Sequence, residues 1–261
     1  MVGPTQRLGF VSNSAARRAV LHTLAEDARP RQAVVDAVSA SESAVYDALN
    51  RLQRRGYVYE RDDGDWALTG TGWAVHDLLD QIQAVEGVMD DAAEYWQTHD
   101  LSVLPECGRR TLNRLEGCSV VRSPDADPFR AARCVQDAIE GSASVDVIAP
   151  VYDDRFADAL VDCDDPSPRL LVTPQLLEGA VETDGPAEEE TAHLDVRVTT
   201  AGFAMAVTED QVCVSLPKLE GGYDAKTELV ARSPESVEWG ASVFERVWDE
   251  ATPVEAFVAD E

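Results

Sequence analysis

The sequence predicts a protein of α/β class, α+β over its whole length, in three parts. A winged helix–turn–helix domain is expected over residues 1–69, a long linker or dimerisation helix over 70–100, and an α/β domain over 101–261. Three observations carry this. Three short amphipathic helical segments run into a two-stranded hairpin. A 3,4 spacing of apolar residues is then sustained over three heptads. Beyond residue 101, short apolar strands alternate with amphipathic helices, the order of an α/β domain.

The first helix is expected at 14–26, capped by Ser14, with Val20, Leu21 and Leu24 on its apolar side. The second, "PRQAVVDAV" (30–38), opens on Pro at a helix start and turns Val34, Val35 and Val38 inward. The third, "ESAVYDALNRLQRR" (42–55), places Val45, Leu49 and Leu52 at i, i+4, i+7, and Gly56 stops it. "YVYE" and "WALT" are short strands joined by "RDDGD", whose Asp-Gly is a hairpin signal. Residues 70–100 then read as one helix. Its seam is Val75, Leu78, Ile82, Val85, Met89, Ala92 and Trp96, which would pair two chains in a coiled coil or pack on the chain's own C-terminal domain. Strands are expected at 118–123, 145–149, 169–173, 194–199, 203–208 and 211–216, and helices at 127–140, 153–162 and 233–251. The acidic run 182–190 reads as a solvated loop.

Charge separates the parts. The net charge is -27, and only Lys218 and Lys226 among the 22 basic residues are lysines. Residues 1–61 nevertheless hold nine arginines against six acids, while the remaining 200 hold 13 basic and 43 acidic residues. Such asymmetry points to a polyanionic partner for the first part. The acidic remainder fits a salt-rich cytoplasm, where a Debye length of about 3 Å at molar salt suppresses self-repulsion; scarce lysine with abundant acid resembles haloarchaeal proteins.

Away from the Val45–Leu49–Leu52 stripe, the third helix presents Ser43, Tyr46, Asp47, Asn50, Arg51 and Arg54. Arg, Asn, Ser and Tyr are the types that meet base edges and phosphates in a major groove. Arg55 and Arg61 are placed to grip phosphate, Arg61 from the base of the wing. The alternative is a solvated helix face.

No G-x-G-x-x-G, G-x-x-x-x-G-K-[ST] or G-x-S-x-G is present. His22, His76, His99 and His193 read as structural or surface histidines, so no catalytic residue, metal site or cofactor is expected. Acidic pairs recur everywhere and carry no information about catalysis. The cysteines, Cys107, Cys118, Cys134, Cys163 and Cys213, form no C-x-x-C pair and read as buried small hydrophobes in a reducing compartment. No apolar run approaches the roughly 20 residues of a membrane span, and the N-terminus has no signal-peptide core. A cytoplasmic location without membrane contact is expected.

Residues 14–80, with the passage "WALTGTGWAVHDLL", resemble archaeal winged-helix regulators. "YWQTHDLSVLPE" (95–106), "VDVIAPVYDD" (145–154), "GFAMAVTEDQVCVSLP" (202–217) and "YDAKTELVARSPESVEWGASVFERVW" (223–248) together resemble the methanogenesis-regulatory-protein type of C-terminal domain. More distantly they are similar to the TrmB sugar-sensing regulators, whose effector domain resembles a phospholipase-D-like fold. The resemblance implies a homodimeric regulator of double-stranded DNA with an effector domain, open to a small-molecule effector. No histidine here is followed two residues later by lysine, so the H-x-K catalytic signature is missing. No sugar-contacting motif can be matched. The competing readings are an enzyme or metabolite-binding protein whose winged helix contacts only proteins, and a chromatin-like DNA binder without an effector.

Overall fold

A computed structural model describes residues 4–182 and 193–259. The acidic run expected as a loop at 182–190 lies, beyond Glu182, outside them. The chain divides into two units, Met1–Gln83 and Ala84–Glu261.

The first unit runs α1 (Pro4–Ser12), α2 (Ala15–Glu26), β1 (Arg29–Pro30), α3 (Arg31–Ala37), α4 (Glu42–Arg54), β2 (Val58–Glu60), β3 (Asp65–Leu68) and the first turns of α5 (Gly70–Asp91). The strands form an antiparallel sheet in the order β1-β3-β2. Helix α1 and strand β1 were not anticipated; β1 is two residues long and opposite Trp66 and Asp65 of β3. The core gathers Val20, Leu21 and Leu24 of α2, Val34 of α3, Val45, Leu49 and Leu52 of α4, and Trp66. Each such apolar side chain contributes about 1.5–3 kcal/mol by leaving water, before ordering entropy.

Local chemistry fixes the ends of α4. The Ser41 hydroxyl accepts from the Ala44 N–H at 3.3 Å, starting the helix. At the other end Gly56 has φ +74°, Tyr57 N–H reaches the Leu52 carbonyl at 3.0 Å, and Gly56 N–H reaches that of Gln53 at 2.9 Å. These two bonds make a Schellman turn, which a residue without Cβ accommodates at no steric cost. "LTGTG" then turns the chain into α5. The Thr69 hydroxyl donates to the Gly56 and Tyr57 carbonyls and accepts from the Gly72 N–H.

The second unit continues from the end of α5 into α6 (Ala93–Thr98), α7 (Glu106–Arg110) between two 3-10 turns, β4 (Ser119–Arg122), α8 (Arg130–Ile139), β5 (Val145–Ala149), α9 (Asp154–Val161), β6 (Arg169–Val172) and α10 (Pro174–Glu182). It ends with β7 (Asp195–Val198), β8 (Ala204–Thr208), β9 (Val212–Ser215), β10 (Thr227–Ala231), α11 (Pro234–Glu250), β11 (Thr252–Pro253) and α12 (Val254–Ala259). One mixed eight-stranded sheet has the order β11-β7-β6-β5-β8-β9-β10-β4. Strands β5, β6 and β7 are parallel; the rest pair antiparallel.

Period-two alternation assigns the two faces of this sheet. Met205, Val207, Val212, Val214 and Leu229 join Trp239, Val243 and Phe244 of α11. Val147, Ala206, Cys213 and Val230 join Val135 and Ile139 of α8 and Leu160 of α9. The sheet is therefore the middle of three layers.

The helix expected over 70–100 is two helices, α5 and α6, broken at Ala92, whose φ and ψ are -131° and 36°. The seam is divided as well. Val75 lies in the core of the first unit. Ala92 lies in the main core of the second, with Val85, Met89 and Trp96 packed against it. Leu78 and Ile82 are exposed, at 49% and 42%. The apolar spacing of residues 75–96 thus serves largely to seat α5 in each unit in turn.

The cysteines depart from expectation in one respect. Cys118 and Cys213 are buried and Cys134 and Cys163 half-buried, but Cys107 is exposed.

Candidate nucleic-acid interface

Ser43, Asn50, Arg51, Arg54 and Arg55 are exposed, and Tyr46 is half-buried. All six lie on α4 or its C-cap, on the side away from the buried Val45, Leu49 and Leu52. The arginines are held in distinct ways. Arg51 Nε donates to Asp47 at 2.9 Å one turn back. Arg54 Nε donates to the Asn50 carbonyl at 3.3 Å. Arg55 lies over the Phe10 ring of α1, 4.0 Å from its centroid.

Two cationic residues escaped the sequence reading. Arg17 of α2 lies over the same Phe10 ring at 4.2 Å. Burial and then the nearby Arg51, with a further push from Arg55, hold its pKa below the usual guanidinium value, against the pull of Asp47. Arg17, Arg51 and Arg55 therefore form one electropositive group built on α2 and α4. Arg31, at the start of α3, lies 4.7 Å from the Trp66 ring centroid and 5.7 Å from that of Tyr46. The signal for both was cationic, but it lay on other helices, and one helix's periodicity cannot show what a neighbouring helix adds.

Arg61 is exposed at the hairpin, as expected, but in acidic company. Asp62 and Asp63 are exposed beside it, Glu60 precedes it, and its N–H bonds the Asp65 carbonyl at 2.7 Å. The hydrogen bond to Asp65 joins main-chain groups, so the acidic company of Arg61 consists of its sequence neighbours Glu60, Asp62 and Asp63. Exposed arginines thus cluster on α4, next to the half-buried Arg17 of α2.

The second unit holds a buried polar group beside a cleft of about 520 Å³. His99 Nε2 lies 3.0 Å from Asp224 Oδ2 and 3.2 Å from the Thr227 hydroxyl, and its Nδ1 lies 2.9 Å from the Tyr95 carbonyl. The His99 ring stacks on Tyr95 at 4.1 Å. Burial raises the Asp224 carboxyl, but hydrogen bonds from Thr227, His99 and the Lys226 N–H, together with the Lys218 charge, outweigh it, and the group stays below the usual carboxylate range. A hydroxyl, a histidine and a carboxylate suggest a nucleophilic triad. That chemistry needs nucleophile and carboxylate on opposite ring nitrogens, whereas here both face Nε2. The Thr227 hydroxyl donates to Asp224 at 2.6 Å, so the arrangement is a structural clasp. Lys218 and Arg122 line the same cleft. A second cleft, about 890 Å³, is bordered by Thr199–Phe203, Arg110 and Arg246.

Fold and surface define a winged helix–turn–helix unit followed by a three-layer α/β unit. Residues 5–90 match the family model described as HVO_A0261 N-terminal domain, and residues 128–250 match that of the methanogenesis regulatory protein FilR1, middle domain. The chain thus carries one segment similar to each of these two domain models, in that order. The methanogenesis regulatory protein FilR1 of Methanothrix harundinacea (strain 6Ac) is 23% identical over 207 residues. That alignment covers 72% of this chain and 45% of the relative, so the chain spans under half of that protein's length. The solved structure of TrmBL2, described as an archaeal chromatin protein with a novel mode of DNA binding, superposes with a TM-score of 0.41 at 15% identity, covering 90% of this chain and 92% of that one. The IclR protein of Thermotoga maritima gives 0.24 at 12% identity over 88% and 93%. Neither superposition is close enough to define a shared fold. No helix among the described residues is long and apolar enough to cross a membrane.

Proposed function

We propose that this protein is a transcription regulator that binds double-stranded DNA in a sequence-specific way through α4. One observation carries the reading. A chain of net charge -27 keeps Arg51, Arg54 and Arg55 exposed on one helix of a helix–turn–helix, with Arg17 half-buried beside Arg51 and Arg55. Ser43, Asn50, Arg51 and Arg54 would meet base edges, while Arg17 and Arg55 would meet phosphate. The relative's name, a methanogenesis regulatory protein, agrees with this.

The regulator acts as a homodimer, as half-site recognition by such domains requires. Leu78 and Ile82, exposed and one turn apart on α5, supply the pairing contact. The second unit is non-catalytic and senses a small-molecule effector in the cleft beside His99, whose lining mixes Arg122 and Lys218 with Glu94, Glu220 and Asp224. Effector binding shifts the population between two dimer geometries. The protein works in a salt-rich cytoplasm. Counterion release contributes little there, so base contacts and water release carry more of the affinity.

Selection from a pool of genomic fragments tests the reading. Incubated at about 2 M KCl, where screening is nearly complete, the protein should enrich a small set of fragments sharing a motif. Uniform enrichment would favour a packaging protein, and no enrichment would make the winged helix a protein-contact module.

A further inference from the structure

A cluster on the first unit takes no part in the arginine surface. His22 and Glu26 stand one turn apart on α2; His76 and Asp80 stand one turn apart on α5. Helix packing brings the two pairs together, with the His22 and His76 rings stacked at 5.7 Å. His76 is the centre of the group. Its side chain is 12% exposed, and its Nε2 is buried without a hydrogen-bond partner, 3.6 Å from Asp80 Oδ2. Its Nδ1 lies 3.3 Å from Asp77 Oδ1. An imidazole that donates from Nδ1 to a carboxylate presents its lone pair at Nε2, the arrangement that orients histidine toward a metal. One donor atom each from His22, His76 and Asp80 lies within 4.8 Å of the other two.

We infer that His22, His76 and Asp80 form a binding site for a transition-metal dication of the zinc class. Tetrahedral ligands about 2.0–2.2 Å from such an ion stand roughly 3.3 Å apart. The Asp80–His76 pair is already near that spacing. His22 and Asp80 are exposed, so rotation about their side-chain bonds closes the rest. Glu26 Oε1, 4.0 Å from His22 Nε2, flanks the open position, while its Oε2 is held by Arg29 at 3.1 Å. Two imidazoles and a carboxylate suit zinc, nickel or cobalt, whereas magnesium and calcium prefer all-oxygen sites. A bound ion would tie the start of α5 to α2, the helix that supplies Arg17. The inference stands on these residues alone and does not depend on the DNA-binding reading.

The test uses the full chain, stripped with a chelator and held in about 2 M KCl with excess magnesium, so that diffuse binding to surface carboxylates is suppressed. Zinc is titrated calorimetrically, and cobalt is followed by its visible ligand-field bands. The expected result is one saturable ion per chain and a melting temperature that rises with zinc. His22→Gln and Asp80→Asn, both at exposed positions, should melt like the stripped wild type and lose affinity by more than about a hundredfold. Asp77→Asn should lose roughly tenfold, as an orienting carboxylate does. Absence of a saturable one-ion phase, or wild-type affinity in either ligand variant, would overturn the inference.

Discussion

Asp47 accepts a hydrogen bond from Arg51 Nε at 2.9 Å, one turn apart on the exposed side of α4. The pair puts a carboxylate inside the surface assigned to DNA. It fixes the guanidinium in one direction and also repels phosphate. Asp47→Asn is therefore expected to strengthen binding to unrelated duplexes by about threefold to tenfold, since one repulsive charge is removed. Discrimination between an operator and unrelated DNA should fall, because Arg51 loses its orientation. Competition binding with two duplexes measures both effects; unchanged affinity for both would remove Asp47 from the interface.

The two arginine positions differ in what surrounds them. Arg61→Ala, among the wing's carboxylates, should weaken DNA binding by less than about 0.5 kcal/mol, whereas Arg51→Ala should cost about 1–3 kcal/mol. Fluorescence anisotropy on one duplex ranks them. Equal losses would restore the wing as a clamp.

Gly72 tests the turn that joins the hairpin to α5. A Cβ there would stand 2.1 Å from the Tyr57 carbonyl oxygen, which also accepts from Thr69 N–H at 2.9 Å. Gly72→Ala is expected to destabilise the first unit by about 3 kcal/mol, the upper range of overpacking. Gly70 has open space around it, so Gly70→Ala should be neutral or slightly stabilising. Chemical denaturation of both variants decides it.

Glu228 of β10 is buried on the α8 side of the sheet. Burial, then the neighbouring Cys134 and Asp224, raise its pKa well above the ordinary value. The folded state thus keeps a proton that the unfolded chain releases near pH 4.3. Stability from this group is complete below that pH and declines as pH rises toward the folded pKa. Glu228→Gln should raise neutral-pH stability and flatten that slope. Denaturant midpoints from pH 5 to 8 read the difference; parallel profiles for variant and wild type would contradict it.

If Leu78 and Ile82 form the pairing contact, Leu78→Glu with Ile82→Glu should convert a dimer to a monomer by light scattering, with each unit still folded by circular dichroism. An unchanged mass would place the dimer contact elsewhere.

Most of the winged helix was legible because its signals are local. Ser14, Gly56 and the Asp-Gly turn act within a few residues, and the apolar spacing of α4 needs no partner to be read. Strands β5 to β9 were legible for the same reason. Strand β10 was missed because "TELVA" places Glu228 at a buried position, and a carboxylate there hides the alternation. Helix α1 and Arg17 were missed because their role comes from Phe10, Tyr57 and Arg51, which meet only after folding. The seam of α5 illustrates the converse. Its heptad spacing was plain, but spacing alone cannot tell a partner chain from the chain's own cores.

The most direct test of the central claim is DNA binding by the intact protein and by an Arg51→Ala, Arg54→Ala variant at about 2 M KCl, a salt at which diffuse charge attraction is largely screened. The probe is the fragment enriched from the genomic pool, or, if none is enriched, the DNA upstream of the protein's own gene, with an unrelated duplex as control. The account predicts specific binding by the intact protein and a loss of at least about thirtyfold in the variant, two base-reading side chains at about 1–3 kcal/mol each. Equal binding by the variant, or none by the intact protein to any fragment, would contradict it.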